Sequence, residues 1–142
     1  MLDDLTNLQA LLKDSTLLAT RGYIAGEWCD GENGQTFPVY NPARGDVITD
    51  VADISRTQTA EAISIAEKAQ KLWAARPAKE RSNLLRNWYN LMMENQEDLA
   101  TILTAEQGKP IEEAKGEIAY GASFIEFFAE EAKRVYGETI PG

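Results

Sequence analysis

The chemistry open to this chain depends on a short inventory of reactive side chains. Its 142 residues include no histidine and one cysteine, Cys29. A Ser-His-Asp triad, a Cys-His pair and a thiolate zinc cluster are therefore excluded. Cys29 could itself be a nucleophile, but the carboxylates of Glu27 and Asp30 flank it and disfavour the thiolate. We interpret Cys29 as an inert or incidental thiol.

A glycine-rich stretch at residues 31–34 raises the question of a phosphate-binding loop. Its sequence, Gly-Glu-Asn-Gly, matches neither the dinucleotide-binding fingerprint nor the phosphate loop, and no strand-to-helix unit follows it. The stretch instead predicts the turn of a hairpin.

Acidic residues near the end of the chain could form a ligand set. They are Glu126, Glu130 and Glu131, beside Lys133 and Arg134. Their helical spacing favours a solvated, salt-bridged face over a metal site.

Aromatic residues recur on the same segment and leave two alternatives open. Phe124, Phe127 and Phe128 are typical of a helix face in a protein core, but they could also line a ligand pocket.

The elements that would position these residues follow from periodicity. Leucines at helical spacing predict an amphipathic helix over residues 2–18. Residues 23–28 and 37–40 predict two strands of a hairpin with its turn at Asn33-Gly34. Residues 41–46 predict a second turn, and the β-branched residues of 47–53 predict a further strand.

Four helices are predicted in the second half. Thr57 or Thr59 is expected to cap the first, which ends before Arg76-Pro77. The second carries a stripe of large apolar residues: Leu84, Leu85, Trp88, Leu91 and Met92. The third ends at Gly108 as its C′ residue, and the fourth has Pro110 in its first turn and ends at Gly137. A small-residue stripe on the fourth helix permits close approach by a neighbour: Ala114, Ile118, Ala122, Ile125, Ala129 and Ala132. The predicted fold class is α+β, with an N-terminal helix, a β-meander and four helices.

Composition limits the partners and the compartment. The formal net charge of −9 argues against a nucleic-acid partner or an anionic membrane surface, because both require clustered Lys and Arg. No apolar run approaches the roughly 20 residues that a membrane span needs. A single cysteine favours a reducing compartment, and we expect the cytoplasm.

Several segments resemble the N-terminal part of the aldehyde dehydrogenase superfamily. The resemblance covers residues 20–142 and is carried by residues 23–28, 40–45, 81–88, 106–118 and 136–142. Among these, residues 106–110 read Glu-Gln-Gly-Lys-Pro and residues 136–142 read Tyr-Gly-Glu-Thr-Ile-Pro-Gly. Residues 116–134 most resemble succinate-semialdehyde dehydrogenases.

This resemblance implies an NAD- or NADP-dependent oxidation of succinate semialdehyde to succinate, within γ-aminobutyrate degradation. In the family, a cysteine forms a thiohemiacetal, hydride passes to nicotinamide, and a glutamate-activated water hydrolyses the thioester. The catalytic and cofactor-binding residues of the family lie beyond the position matching Gly142. We therefore expect no catalytic and no cofactor-binding residue in this chain, and no activity or bound cofactor from it alone.

Two site assignments are carried over by resemblance. Some family members bind a monovalent cation through a backbone carbonyl matching Tyr40 and an acidic side chain matching Glu106; a helix-terminal carboxylate without a cation is the alternative. The residue matching Tyr120 faces the substrate entrance in related enzymes, and a buried contact with a neighbouring helix is the alternative.

The resemblance also implies a place in a larger molecule. Residues 1–142 would be the N-terminal portion of the parent α/β enzyme, a helical cover on its cofactor-binding sheet, and residues 138–142 would enter strands that join subunits of a homo-oligomer. Apart from that sheet, the helices are expected to expose apolar surface. The rival hypothesis is a truncated, non-enzymatic homologue that acts as a protein-interaction module.

Overall fold

The fold is that of a computed structural model, which describes residues 7–140. A short helix, α1 (Leu8–Leu11), comes first. Four strands follow: β1 (Gly22–Ile24), β2 (Glu27–Cys29), β3 (Thr36–Tyr40) and β4 (Val47–Ala52). Four long helices come after the strands: α2 (Arg56–Ala74), α3 (Ala78–Glu94), α4 (Gln96–Gln107) and α5 (Ile111–Glu131). The α+β class and the order of helix, strands and four helices are confirmed. No helix within residues 7–140 is long and apolar enough to cross a membrane.

The continuous helix predicted over residues 2–18 is wrong in its described part. After α1 the chain is extended and then forms only a single 3-10 turn over Ser15–Leu17. Leu8 and Leu12 are nevertheless buried, so the leucine face docks as expected. The predicted positions Leu2 and Leu5 lie outside the described residues.

A buried carboxylate on α4 explains the interruption. Asp98 accepts the backbone N–H groups of Lys13 (3.1 Å) and Asp14 (2.8 Å), one on each oxygen, and its side chain is almost wholly buried. These two N–H groups cannot then bond to carbonyls four residues earlier, as a helix requires. A long-range contact therefore overrides the local leucine pattern.

The strands form two separate hairpins, so the predicted pairing of residues 23–28 with residues 37–40 is wrong. β1 and β2 pair with each other, with Tyr23 opposite Trp28. Ala25 and Gly26 form the turn with φ of 57° and 88°, the positive values that a type I′ hairpin needs at both central residues. Asn33-Gly34 lies instead in a 3-10 turn between the hairpins.

The second hairpin confirms the predicted turn at residues 41–46 and the strand after it. β3 and β4 run antiparallel, from Thr36 opposite Ala52 to Tyr40 opposite Val47. The buried Asn41 organises the turn, because its side-chain oxygen accepts the N–H groups of Ala43 and Arg44 at 2.9 and 3.3 Å.

The cap of α2 differs from the prediction. Ser55, rather than Thr57 or Thr59, is the N-cap; its hydroxyl accepts the Gln58 N–H (3.2 Å), and the Gln58 side chain accepts the Ser55 N–H (3.0 Å). This reciprocal pair is a capping box. The predicted end of α2 before Arg76-Pro77 is confirmed.

The helices α3, α4 and α5 pack together, and α5 contacts both of the others. Gly108 ends α4 with φ of 80°, as predicted for a C′ glycine. Pro110 is the N-cap of α5, one residue before the predicted first-turn position. The predicted end at Gly137 is wrong: α5 ends at Glu131 because the following apolar side chains, such as Val135, find nothing to pack against and stay exposed.

Substitution of Asp98 tests the role of its carboxylate in holding the N-terminal segment. We expect Asp98→Ala to lower the free energy of unfolding by about 1–3 kcal/mol, because two backbone donors lose their acceptor. Urea titration followed by circular dichroism measures this change. Asp50→Ala, at an exposed position in β4, serves as the control, and an equal effect of the two substitutions would contradict the assigned role.

Gly31 offers a second test, because it sits where two backbone segments meet. A Cβ there would lie 2.5 Å from the Asp53 carbonyl oxygen and closer still to that of Gln35. We expect Gly31→Ala to destabilise the chain by about 1–3 kcal/mol. Gly116→Ala, at an open helical position in α5, is expected to be neutral or stabilising. The melting temperature of each variant is compared with that of the parent chain. Equal melting temperatures for all three proteins would contradict the close approach of the backbone segments at Gly31.

Candidate functional site

Helix α5 is apolar on two opposite faces. Ala114, Ala122 and Ala129 are 0% exposed and lie against the neighbouring helices. On the opposite side of the helix four aromatic side chains remain 49–66% exposed: Tyr120, Phe124, Phe127 and Phe128. We call these four residues the aromatic stripe. Of the two alternatives left open for the phenylalanines, burial in the core of this chain is wrong.

Tyr120 lies at one end of the aromatic stripe. Its ring meets Phe124 edge-on, with centroids 4.9 Å apart and planes at 80°. Phe127 and Phe128 form a second edge-on pair at 5.3 Å. Within residues 7–140 the Tyr120 side chain is exposed, so it is not occupied by a buried contact with a neighbouring helix of this chain. The stripe is thus a preformed aromatic surface that faces outward.

Charged residues on the flank of α5 hold the helix in this orientation. Arg86 of α3 donates to Glu126 through Nη1 and to Glu130 through Nη2, both at 2.6 Å. Lys133 also pairs with Glu130 at 2.7 Å, which confirms the predicted salt-bridged face. Because Glu126 and Glu130 lie between the alanine face and the aromatic stripe, the single guanidinium fixes the rotation of α5 about its axis.

The electrostatics of this cluster favour the charged forms of Glu130 and Arg86. Hydrogen bonds from Lys133, and then from Arg86, hold the pKa of Glu130 below its ordinary value. The two carboxylates in turn raise the pKa of Arg86. Arg86 lies in the family-like segment 81–88, but its pairing was not predicted. The only local signal for the pairing is the i, i+4 spacing of Glu126 and Glu130, which lets two carboxylates share one cation.

The predicted cation ligands Tyr40 and Glu106 lie on segments that are adjacent in space. Tyr40 ends β3, and Glu106 lies in the last turn of α4. Just beyond them, a Cβ on Gly108 would be 3.0 Å from Pro42 Cγ. Burial raises the pKa of Glu106. A carbonyl oxygen and a carboxylate suit a hard monovalent cation.

The described part of the chain offers no other candidate metal centre. Across residues 7–140, no group of three or more His, Cys, Asp or Glu side chains converges as a metal site would require. A cation near Glu106 would therefore depend on backbone carbonyl oxygens for its remaining ligands.

Cys29 is part of the first hairpin and not of a reactive cluster. Its thiol is half-buried and donates a hydrogen bond to the Gly22 carbonyl at 3.3 Å. This placement agrees with its interpretation as an inert thiol.

An open groove next to the aromatic stripe was not foreseen from the sequence. It has a volume of about 320 Å³ and is lined by Trp73, Arg81, Leu85, Phe128, Glu131 and Ala132. The Arg81 guanidinium donates to the Ala74 carbonyl at 3.0 Å and so caps the C-terminus of α2. Since Phe128 belongs to both, the groove extends the exposed apolar surface of α5 towards α2.

Comparison with known proteins identifies the relatives of this architecture. Glutarate-semialdehyde dehydrogenase of Pseudomonas putida is 60% identical over 131 residues, which are 92% of this chain and 27% of that protein. The NADP-dependent succinate-semialdehyde dehydrogenase of Escherichia coli is 55% identical over the same shares. This chain thus spans about a quarter of the length of these relatives.

Solved structures show the same relationship. A crystal structure of an NADP-dependent enzyme of Escherichia coli matches with a TM-score of 0.88 and 55% identity, over 92% of this chain and 27% of that one. Succinate-semialdehyde dehydrogenase of Burkholderia pseudomallei matches with a TM-score of 0.87 and 50% identity, over the same shares. The sequence profile of the aldehyde dehydrogenase family matches residues 28–142, which confirms the resemblance seen in the sequence. The chain belongs to the aldehyde dehydrogenase family.

Proposed function

We propose that this chain is the N-terminal part of an NAD- or NADP-dependent dehydrogenase that oxidises succinate semialdehyde to succinate. The observation that carries the proposal is the identity of 55% with the Escherichia coli enzyme of that name, together with a matching fold at a TM-score of 0.88. Mitochondrial succinate-semialdehyde dehydrogenase of Arabidopsis thaliana, 48% identical over 138 residues, adds a further relative named for this substrate.

The substrate class is an aldehyde with a carboxylate at its other end. The relative at 60% identity is named for glutarate semialdehyde, which is one methylene longer than succinate semialdehyde. One methylene changes discrimination by only about 1–3 kcal/mol. We propose succinate semialdehyde as the substrate and glutarate semialdehyde as its nearest competitor.

In the complete enzyme, the residues of this chain would guide and shield the substrate. Tyr120 would stand at the substrate entrance, where its ring and that of Phe124 exclude water from the aldehyde. Arg86 would act as a positioning residue, because it sets the rotation of α5 and thus the direction in which Tyr120 points. NAD or NADP, held by the rest of the complete enzyme, would accept the hydride. The chain alone would have no activity.

The remaining features of the proposal concern assembly. Residues 1–142 would cover the cofactor-binding domain, and residues 138–142 would enter the strands that join subunits of a homo-oligomer.

The Tyr40 carbonyl and Glu106 would hold a structural monovalent cation. We propose the cytoplasm as the compartment, a small aldehyde as the partner, and no nucleic-acid or membrane partner, in keeping with the net charge of −9.

A non-enzymatic interaction module remains the rival function. The exposed aromatic stripe would serve such a module as a binding face, just as it would serve an enzyme as an internal contact. The two functions differ in whether this chain can complete a dehydrogenase.

A chimeric enzyme tests this difference. We expect that the Escherichia coli enzyme keeps succinate-semialdehyde-dependent NADP reduction, within roughly tenfold in kcat/KM, when this chain replaces its matching segment, because an isofunctional part preserves the geometry of the site. The intact Escherichia coli enzyme and this chain alone are the controls. A soluble, folded chimera without activity would contradict the proposed function and favour the interaction module.

Tyr120 provides a sharper test within an active chimera. We expect Tyr120→Ala to raise KM for succinate semialdehyde roughly two- to tenfold with little change in kcat, because an entrance contact contributes equally to ground-state and transition-state binding. Tyr120→Phe keeps the ring and is expected to keep KM. Steady-state kinetics measure KM for the three proteins. An unchanged KM in the alanine variant would contradict the assignment of Tyr120 to the substrate entrance.

A further inference from the structure

We propose that Asn33 is a site of spontaneous covalent modification, where the side-chain amide is converted to a carboxylate at a rate controlled by the 3-10 turn over Glu32–Gly34. Gln58 of α2 holds this turn closed. The proposal concerns the region between the two hairpins and does not depend on the proposed dehydrogenase function.

The chemistry involves two adjacent residues and water. The Gly34 nitrogen loses its proton to solvent and attacks Cγ of Asn33, so that a Cγ–N bond forms and closes a five-membered imide. The side-chain nitrogen of Asn33 takes up a proton and leaves as ammonia. Water then opens the imide at one of its two carbonyl groups, which gives either aspartate or isoaspartate. Water is the only co-reactant, and nothing is oxidised or reduced.

The sequence selects Asn33 from the seven asparagines of the chain. Asn33 is the one that precedes a glycine, whereas the others precede leucine, tryptophan, glutamine or proline. A side chain on the following residue hinders approach to its nitrogen, and glycine has none. A Cβ built on Gly34 would meet nothing within 4 Å, so the space around this residue is open.

The Asn33 side chain is free to react. It is exposed, and within residues 7–140 it neither donates nor accepts a hydrogen bond. Asn41 is the contrasting case, because its side chain is buried and its oxygen accepts two backbone N–H groups. An exposed amide that no contact restrains can change rotamer until its Cγ faces the following nitrogen.

The folded turn nevertheless keeps the attacking nitrogen away from Cγ. The Gly34 N–H donates to the Gly31 carbonyl at 2.8 Å, so its proton is engaged. Asn33 has φ of 57° and ψ of 25°. At this ψ the Gly34 nitrogen points away from Cβ of Asn33, whereas the imide ring requires both on the same side of the Cα–C bond. The reaction therefore requires local opening of the turn, in which the hydrogen bond breaks and ψ rotates.

Gln58 controls how readily the turn opens. Its Oε1 accepts the Glu32 N–H at 3.1 Å, and its Nε2 donates to the Asp30 carbonyl at 3.0 Å. The same oxygen accepts the Ser55 N–H in the capping box of α2. The turn is thus attached to the N-terminus of a long helix, and it opens only when its contacts with that helix are released.

The modification would weaken the connection between the two hairpins. A new carboxylate at position 33 would lie next to Glu32, where like charges repel. An isoaspartate would also add a backbone methylene between residues 33 and 34, which displaces the Gly34 N–H from the Gly31 carbonyl. The chain would therefore become less stable as it ages.

Peptide mapping tests the proposal on the whole chain, incubated in mildly alkaline buffer with and without urea. Mass spectrometry locates each amide that has become a carboxylate, and labelling by an isoaspartyl methyltransferase detects isoaspartate. We expect Asn33 to react before the other asparagines, and to react at least about tenfold faster in the unfolded chain, because the closed turn restrains the folded one. Circular dichroism of the chain without urea checks that it is folded.

Substitution of Gln58 tests the control by the turn. We expect Gln58→Ala to raise the rate at Asn33 in the folded chain at least about threefold, because the Glu32 N–H loses its acceptor and the turn opens more often. Gln70→Ala, at an exposed position further along α2, is the matched control and should leave the rate unchanged. Asn33→Gln should abolish the reaction at position 33, because its longer side chain cannot close a five-membered ring.

Three results would overturn the proposal. Equal rates in the folded and the unfolded chain would show that the turn does not restrain Asn33. Earlier modification of another asparagine would show that the site is wrong, and a folded Gln58→Ala variant that reacts at the parent rate would exclude the role of Gln58. The comparison of the folded and unfolded parent chain needs no variant, so it decides even if Gln58→Ala does not fold.

Discussion

The close approach of α5 to its neighbours is the constraint on which the rest of the structure depends. It is possible because Ala114, Ala122 and Ala129, spaced about two turns apart, present nothing larger than a methyl group to the neighbouring helices. At this short separation Arg86 of α3 reaches both Glu126 and Glu130. The alanine face and the guanidinium together determine which side of α5 turns outward.

The same constraint explains why this chain has an exposed aromatic surface. Alanine contacts bring helices close but bury little apolar area, and the four aromatic side chains of α5 lie on the other face. The relatives are about four times as long as the matched region, and we propose that this face contacts the rest of the enzyme. Under the proposed function, the chain would supply orientation and shielding, and the chemistry of the dehydrogenase would reside in the rest of the enzyme.

The sequence was informative wherever structure is decided locally. The C′ glycine at Gly108, the end of α2 before Arg76-Pro77 and the alanine stripe all follow from short-range sterics, and all three are confirmed. The family could also be recognised, because its motifs lie in consecutive residues. The absence of histidine ruled out several nucleophile systems at once.

Features that depend on contacts between distant residues, or on backbone angles that are rare for the residue type, could not be predicted from local sequence patterns. Asp98 interrupts the N-terminal helix from 84 residues further along the chain. The turn at Ala25-Gly26 requires a positive φ at Ala25, and alanine is not a residue type that predicts this conformation. Arg86 pairs with carboxylates 40 and 44 residues away, and nothing local selects it from the other basic residues.

The central claim is that this chain is a working part of a dehydrogenase, and the most direct measurement is made on the native protein. Succinate-semialdehyde-dependent NAD(P) reduction is purified from the native cells, and mass spectrometry identifies the polypeptide that carries residues 106–118. The account predicts that this polypeptide is longer than 142 residues, co-purifies with the activity and loses activity on thiol alkylation. A native 142-residue polypeptide that separates completely from the activity would contradict it.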